Sequence, residues 1–345
     1  MAINSKLRIL NIIAGAEFGG AESFFERLTM SFEMKKNIDQ TVIIKENKTR
    51  YNLLKKNIEN IKQIKLFNNL NPFCLFKVKK IISEFQPNII LTWMNRASNI
   101  LPTRKHSNEI NVGRLGGFYK IKNYVKCNYL ITNTPDLKKY VITKGWDPKY
   151  VEYIPNFVSQ SKNLNLDLGF SKEKTIICMG RFHKNKAIDL LIKSMPFLST
   201  FNLAIVGNGK LKNSYDTLIK QFDLESRVKI FEWSRNISEY LNSSCVLVCP
   251  SRHEPFGNIV VDGWAHRIPV VVADTGGPGK IVKHKYNGLK FESENIFDLV
   301  SKIKELDSNA TLRKRVVTNG FNEYKKNYSE DVIVSKYLNF FKRIT

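Results

Sequence analysis

Cysteine and histidine are scarce in this chain. Its 345 residues hold five cysteines (Cys74, Cys127, Cys178, Cys245 and Cys249) and five histidines. The cysteines are odd in number, lack C-x-x-C spacing and fall mostly in apolar runs. That pattern argues against a disulfide framework and for reduced thiols in the cytoplasm. The histidines form no ligand cluster, and there is no D-x-D pair of the kind that holds Mg²⁺ or Mn²⁺, so no metal or other cofactor is expected. No apolar run approaches the roughly 18–20 residues that a helix needs to span a bilayer. Acidic residues are also few, 31 Asp and Glu against 55 Lys and Arg, for a formal charge of +24. Such an excess suits nucleic acid or an anionic membrane surface. The basic residues are spread along the chain, without zinc-finger spacing or an aromatic RNA-binding stretch. Residues 1–157 carry 26 Lys and Arg against 12 Asp and Glu, so about +14 lies there.

What is present is an alternation of strand-like and helix-like runs, the pattern of an α/β protein with parallel sheets. A hydrophobic fraction of 43%, with 22 Phe and 13 Tyr, is ample for two folded domains. In the first half the apolar runs predict strands near 7–13, 41–44, 87–92 and 127–132, with a further short strand after Gly145. In the second half they predict strands near 175–179, 202–206, 228–231, 245–249 and 269–273. The start, Lys6 to Ala16, reads as a strand and a glycine loop, since its apolar stretch is too short and interrupted for a signal peptide. Phe73–Phe85 predicts a basic helix with an apolar face. A core-packing helix is the favoured reading and docking to anionic lipid the other.

Three clusters carry chemistry. Ser251–Asp262 places Glu254 and Asp262 around Pro255, Phe256 and Gly257, between an apolar strand and a helix beginning at Asn258. A helix N-terminus has free N–H groups and the positive end of the dipole, so it suits a phosphate. Flanking carboxylates, the second about two turns into the helix, suit sugar hydroxyls. Thr175–Lys186 is a strand ending at Gly180 and followed by Arg181 and Lys186, a fork and a mobile point charge for phosphate oxygens. Leu7–Ser23 is a strand, a glycine-rich loop with Gly19, Gly20 and Glu22, and a helix start. It lacks G-x-G-x-x-G, so a dinucleotide fingerprint is not supported.

Together these stretches resemble the retaining nucleotide-sugar glycosyltransferases of family 4, with the GT-B fold. In that family Glu is followed after seven residues by Glu; here the second acid is Asp262, one methylene shorter. The Gly-Arg, four residues, Lys pattern matches Gly180, Arg181 and Lys186. Lys280 stands where the family commonly has Glu, and the first-domain His of many members has no convincing counterpart. Thr92–Ser98, Arg114–Tyr119, Asn133–Asp136 and Pro250–Pro255 bring the resemblance closest to bacterial enzymes of lipopolysaccharide or surface-polysaccharide assembly.

The resemblance implies two doubly wound parallel-sheet domains facing across a cleft. It sets an acceptor-binding domain at 1–157, a nucleotide-sugar domain at 158–328 and a C-terminal helix, 329–345, crossing back to the first. Arg181, Lys186 and Glu254 are the implied catalytic residues. Gly19, Gly20, Gly180, Gly207, Trp233, Phe256, Gly257, Asn258 and Asp262 would bind the donor, with the base against Phe231–Arg235. Asn111–Tyr119 is expected as a cleft-facing loop, and Glu22, Trp93, Arg96, Arg114 and Tyr119 as acceptor contacts. The implied partners are a nucleotide sugar and a glycolipid or oligosaccharide acceptor, with peripheral contact to an anionic inner membrane and no nucleic acid. A sugar-nucleotide epimerase of the same fold, or a non-catalytic basic protein binding lipid or nucleic acid, are the alternatives.

Overall fold

Leu7–Ile13 ends in five consecutive buried residues and forms strand β1 of a seven-stranded sheet. A strand covered on both faces reads as a continuous apolar run, and this one is flanked by neighbours on either edge. In the computed structural model, which describes residues 6–17, 19–65, 71–102, 108–159, 165–234 and 236–345, the chain divides into two compact units. One comprises Met1–Phe157 with Glu330–Thr345, the other Val158–Ser329.

The first unit holds β1, β2 (Ile38–Lys45), β3 (Ile61–Ile64), β4 (Ile89–Trp93), β5 (Ile110–Leu115), β6 (Tyr129–Thr132) and β7 (Val151–Tyr153), in the order β3-β2-β1-β4-β5-β6-β7. The second holds β8 (Thr175–Met179), β9 (Asn202–Val206), β10 (Val228–Phe231), β11 (Val246–Cys249), β12 (Val270–Ala273) and β13 (Leu289–Phe291), in the order β10-β9-β8-β11-β12-β13. The strand pairs within both sheets are parallel. Each sheet therefore reverses its winding beside its first strand, between β1 and β4 and between β8 and β11. A doubly wound sheet opens a crevice at the strand C-termini at that point.

Three strands were not legible as such. β3 and β13 are short edge strands, four and three residues long, without a sustained apolar run. β5 overlaps Asn111–Tyr119, which the three glycines had marked as a loop; only the part after Leu115 is one. Gly113 lies inside the strand because a Cβ there would stand 2.7 Å from the Tyr124 ring and 2.9 Å from the Cys127 sulfur. The final helix runs over Glu330–Ile344, within the expected 329–345.

The last helix belongs to the first unit because its apolar face is part of that core. Ile333, Val334, Tyr337, Phe340 and Phe341 cluster with Phe24, Phe25, Leu28 and Phe32 of the helix Gly20–Glu33 on one side of the sheet. Arg114 lies at the centre of this packing. It is 1% exposed, and its guanidinium carbon stands 4.5 Å from the Phe24 ring centre and 4.7 Å from that of Trp93. Its Nε donates to the Tyr337 hydroxyl at 2.7 Å and its Nη2 donates to the Asn156 side-chain oxygen. A buried cation is costly unless its donors are satisfied, and ring faces supply the rest of the compensation.

Removing the hydroxyl in Tyr337→Phe should cost about 1.5–3 kcal/mol, the usual range for a hydrogen bond to a charged group. Urea unfolding of the full chain measures it, and a change smaller than about 0.5 kcal/mol would show that Arg114 does not depend on that bond.

Candidate active site

The second unit's switch point brings two loops together. After β8 the chain passes Gly180 and Arg181, makes a short 3₁₀ turn over Lys184–Lys186, and enters the helix Ile188–Ser194. After β11 it passes Ser251–Gly257 and enters the helix Asn258–Ala265. Lys186 pairs with the Glu254 carboxylate, with both side chains still partly open to solvent. Burial works against the Lys186 charge, but Glu254 outweighs it and holds the ammonium above its ordinary range. Beside it, Arg252 grips Asp189 through two bonds of 2.9 Å and donates to the Lys184 carbonyl at 2.8 Å. The two loops are thus tied side by side, with Arg181 exposed beside them.

Two glycines allow a third segment, Asp274 and Thr275 with the start of the helix Gly276–Ile281, to close on this pair. Gly276 has φ 56°, and its neighbour Gly277 donates its N–H to the Glu254 carbonyl at 2.7 Å. Gly257, the residue before the helix, has φ 93°, and a Cβ on it would stand 2.9 Å from the Pro278 ring. Both positions require the left-handed region, which only glycine enters at no steric cost. Gly207, just after β9, lies against the Gly180 carbonyl, and Gly180 N–H donates to Val206 at 3.0 Å.

In the first unit the corresponding loop follows β1. Arg50, fully buried, donates through Nη2 to the carbonyls of Ala16 and Glu17, both at 2.9 Å, and pairs through Nε with Glu26 at 2.9 Å. From the other side the Glu22 carboxylate accepts the Ala16 N–H at 2.8 Å. Gly15 and Gly19 make room for it, since a Cβ at Gly15 would stand 2.6 Å from its oxygen. Gly20 opens the helix, and Arg96 reaches back to the Ala14 carbonyl at 3.4 Å. Tyr119 lies within electrostatic reach of Glu22, Arg96 and Arg114. Burial, with Glu22 assisting, pushes its phenol above the ordinary range against the two arginines.

This arrangement can be set beside known proteins. Residues 162–323 match the family model of glycosyl transferases group 1, which takes in nearly the whole second unit. Over 98% of both chains, this one is 27% identical to the lipopolysaccharide core biosynthesis glycosyltransferase LpsD of Rhizobium meliloti. It is 26% identical to LpsE of the same organism, over 93% of this chain and 95% of that one. Its fold matches HepE of Anabaena, solved with UDP and glucose, at a TM-score of 0.83 and 16% identity, over 98% of this chain and 100% of that one.

Residues 162–323 form a group 1 glycosyltransferase domain.

Against the expected site of such a glycosyltransferase, the structure places residues unevenly. Arg181, Lys186, Glu254, Gly257 and Asn258 lie at one switch point on adjoining loops. Trp233 is 42% exposed after β10, free to present its ring; Arg235 lies outside the described residues, as does Phe18 of the β1 loop. The Phe256 ring is buried against Tyr328, centroids 6.0 Å apart, which leaves the backbone as the part of this position that faces the loop. Asp262 is buried about one turn into the helix rather than two, since it follows the first helical residue, Asn258, by only four positions. Trp93 and Arg114 are corrected as acceptor contacts. Trp93 is a core side chain between Phe24 and Phe25, its indole donating to Asn11 at 3.4 Å, and Arg114 is spent on Tyr337 and Asn156. Glu22 faces its own loop, leaving Arg96 and Tyr119 as the more open of the five.

Sequence reading overlooked Arg50, Asp189 and Arg252, which hold the loops in place. Only the i-to-far pairing of opposite charges would have hinted at them, and in so basic a chain that signal is weak. Among the described residues no group of three or more His, Cys, Asp or Glu side chains is placed to hold a metal ion.

Two outcomes follow. Arg50→Met leaves Glu26 buried without its partner and should cost roughly 3–5 kcal/mol in unfolding free energy, checked by urea titration. Burial opposes ionisation of Asp189, but the Arg252 guanidinium prevails and holds its carboxyl below the ordinary range. A depressed folded value means that the pair's stabilisation is complete above the unfolded value, near pH 4, and is lost as pH falls through the folded one. Asp189→Asn should therefore flatten the fall of the urea midpoint between about pH 4 and the acid limit; an unchanged slope would remove the pair from the stability account.

Proposed function

We propose that this glycosyltransferase moves a sugar from a nucleoside diphosphate to a hydroxyl of a lipopolysaccharide, glycolipid or polysaccharide acceptor, with retention of anomeric configuration. The observation that carries the reading is the Lys186–Glu254 pair, beside exposed Arg181 and ahead of a helix N-terminus, at the switch point of the unit that matches group 1. The relatives LpsD and LpsE, both of lipopolysaccharide core biosynthesis, support the acceptor class, and the UDP and glucose bound by HepE support the donor class.

In this reading the second unit binds the donor and the first the acceptor. The bond between the sugar's anomeric carbon and the β-phosphate oxygen breaks, and the acceptor oxygen bonds to the same face of that carbon. The acceptor's proton passes to the departing phosphate oxygen. Negative charge grows on the diphosphate, so stabilising it is the protein's main task. Arg181, Lys186 and the first N–H groups of the helix at Asn258 face that charge; Gly180 and Gly207 keep side chains out of its way. Lys186 needs no protonation step, because Glu254 already holds it charged. The Glu254 carboxylate turns to the sugar hydroxyls as phosphate takes over its cation, and Asp262 accepts from the ribose, through a water if its shorter arm requires one. Trp233 offers a ring to the base. Gly19 and Gly20 keep side chains off the β1 loop, and Arg96 and Tyr119 face the acceptor. These groups supply the charge stabilisation themselves, so turnover should persist with EDTA. A lipid-linked acceptor places the work at the cytoplasmic face of the inner membrane.

A panel of UDP- and GDP-linked sugars with EDTA present, scored for nucleotide release, tests this. One donor should be hydrolysed slowly, and Arg181→Ala should lower kcat/KM by roughly a hundredfold or more, the effect of losing one oxyanion-type donor. Glu254→Ala should abolish release. No donor binding by calorimetry would sink the transferase reading in favour of a non-catalytic basic protein, and inversion in the product would sink retention alone.

A further inference from the structure

The helix Pro72–Phe85 of the first unit buries only Cys74 and Val78 fully. Phe73 and Phe76, at its N-terminal end, are 77% and 66% exposed. In helical projection Phe73, Phe76, Lys77 and Lys80 stand at i, i+3, i+4 and i+7, which is one outward stripe. Lys77 and Lys79 are exposed beside them, and Lys80 shares its charge with Glu84 at 3.7 Å. The helix packs on the core through Cys74, Val78, Leu75, Ile81, Ile82 and Phe85, but its other two aromatics point outward, ringed by ammonium groups. On the same side of the sheet, the turn Ile121–Tyr124 is followed by Val125, 72% exposed, beside Lys122. Water alone gives no reason for bare phenylalanines here, and a protein partner of ordinary surface gives none for the excess of lysine.

We propose that the Phe73/Phe76 end of this helix is a docking surface for an anionic lipid bilayer, with the two rings entering the headgroup boundary and the lysines meeting lipid phosphates. The inference rests on the lipid-linked acceptor of the proposed function. Its physical basis is separate: charge complementarity in a unit with about +14, and apolar area that only an interface would cover. Each phenylalanine withdrawn from water favours the bound state by roughly tenfold, and each lysine near an anionic surface by roughly fivefold. No helix of the described residues is long and apolar enough to cross a membrane, so contact of this kind would be peripheral.

Co-sedimentation of the full chain with vesicles tests it. Vesicles of phosphatidylcholine and phosphatidylglycerol in equal amounts should carry the protein down, and vesicles of phosphatidylcholine alone should not. Phe73→Ser/Phe76→Ser should weaken partitioning by about tenfold or more while leaving the thermal midpoint unchanged, since neither ring is buried. Lys77→Glu/Lys79→Glu should do the same and remove much of the salt dependence. Indifference of the wild type to anionic vesicles overturns the proposal, and so does undiminished binding by the phenylalanine variant. Loss of binding to single-stranded RNA in both variants, with no vesicle binding by the wild type, would assign the face to nucleic acid instead. Donor hydrolysis in the same preparations is scored independently, so vesicle binding without donor turnover would sink the transferase reading and leave the docking surface standing.

Discussion

One buried cation ties the first unit together. Arg114 comes from the middle of a parallel sheet, yet its guanidinium lies between a ring of the first helix and a ring of β4, and it donates to the segment that ends the unit and to the helix that ends the chain. A guanidinium has five donors in a fixed plane, so the geometry of its partners is imposed rather than merely allowed. An apolar residue of equal volume would fill the space without specifying which turn of the last helix meets the sheet. The cost of burying the charge is therefore balanced by a definite register for a helix more than two hundred residues away in sequence, Arg114 and Tyr337 being 223 positions apart.

The candidate site follows the opposite principle. Its cations are neutralised but not buried out of reach: Lys186 is paired with Glu254, Arg252 is bound to Asp189, and Arg181 is exposed. Arg252 and Asp189 spend their charges on holding two loops side by side, so that Lys186, Arg181 and the helix end need not move far to meet a phosphate. Such preorganised groups cost little reorganisation when charge develops. The glycines complete the arrangement by letting backbone approach backbone, at Gly277 against Glu254 and at Gly207 against Gly180.

Much of this was legible in the chain. Continuous apolar runs gave β1, β4, β8, β9 and β11 because a parallel strand covered on both faces has no polar side to interrupt the pattern. Gly180-Arg181 with Lys186, and Glu254 before Gly257, were legible because chemistry on a loop demands particular residues at particular spacings. Edge strands β3 and β13 escaped because so few residues carry too little pattern. β5 escaped because glycine signals a turn locally, whereas at Gly113 it answers a tertiary need, the rings and sulfur packed over it.

The sequence by itself determined the α/β alternation, the order of the loops and the chemical identity of the groups on them, since these depend on neighbours within about ten positions. Tertiary structure alone decided which charges are available. Arg114, near the end of β5, and Arg181, just past the end of β8, are the same residue type, but one is enclosed by aromatic rings and the other is open to solvent. Trp93 and Trp233 divide in the same way, one in the core and one exposed. Burial is a sum over contacts from distant segments, so no local pattern of residues could have assigned it.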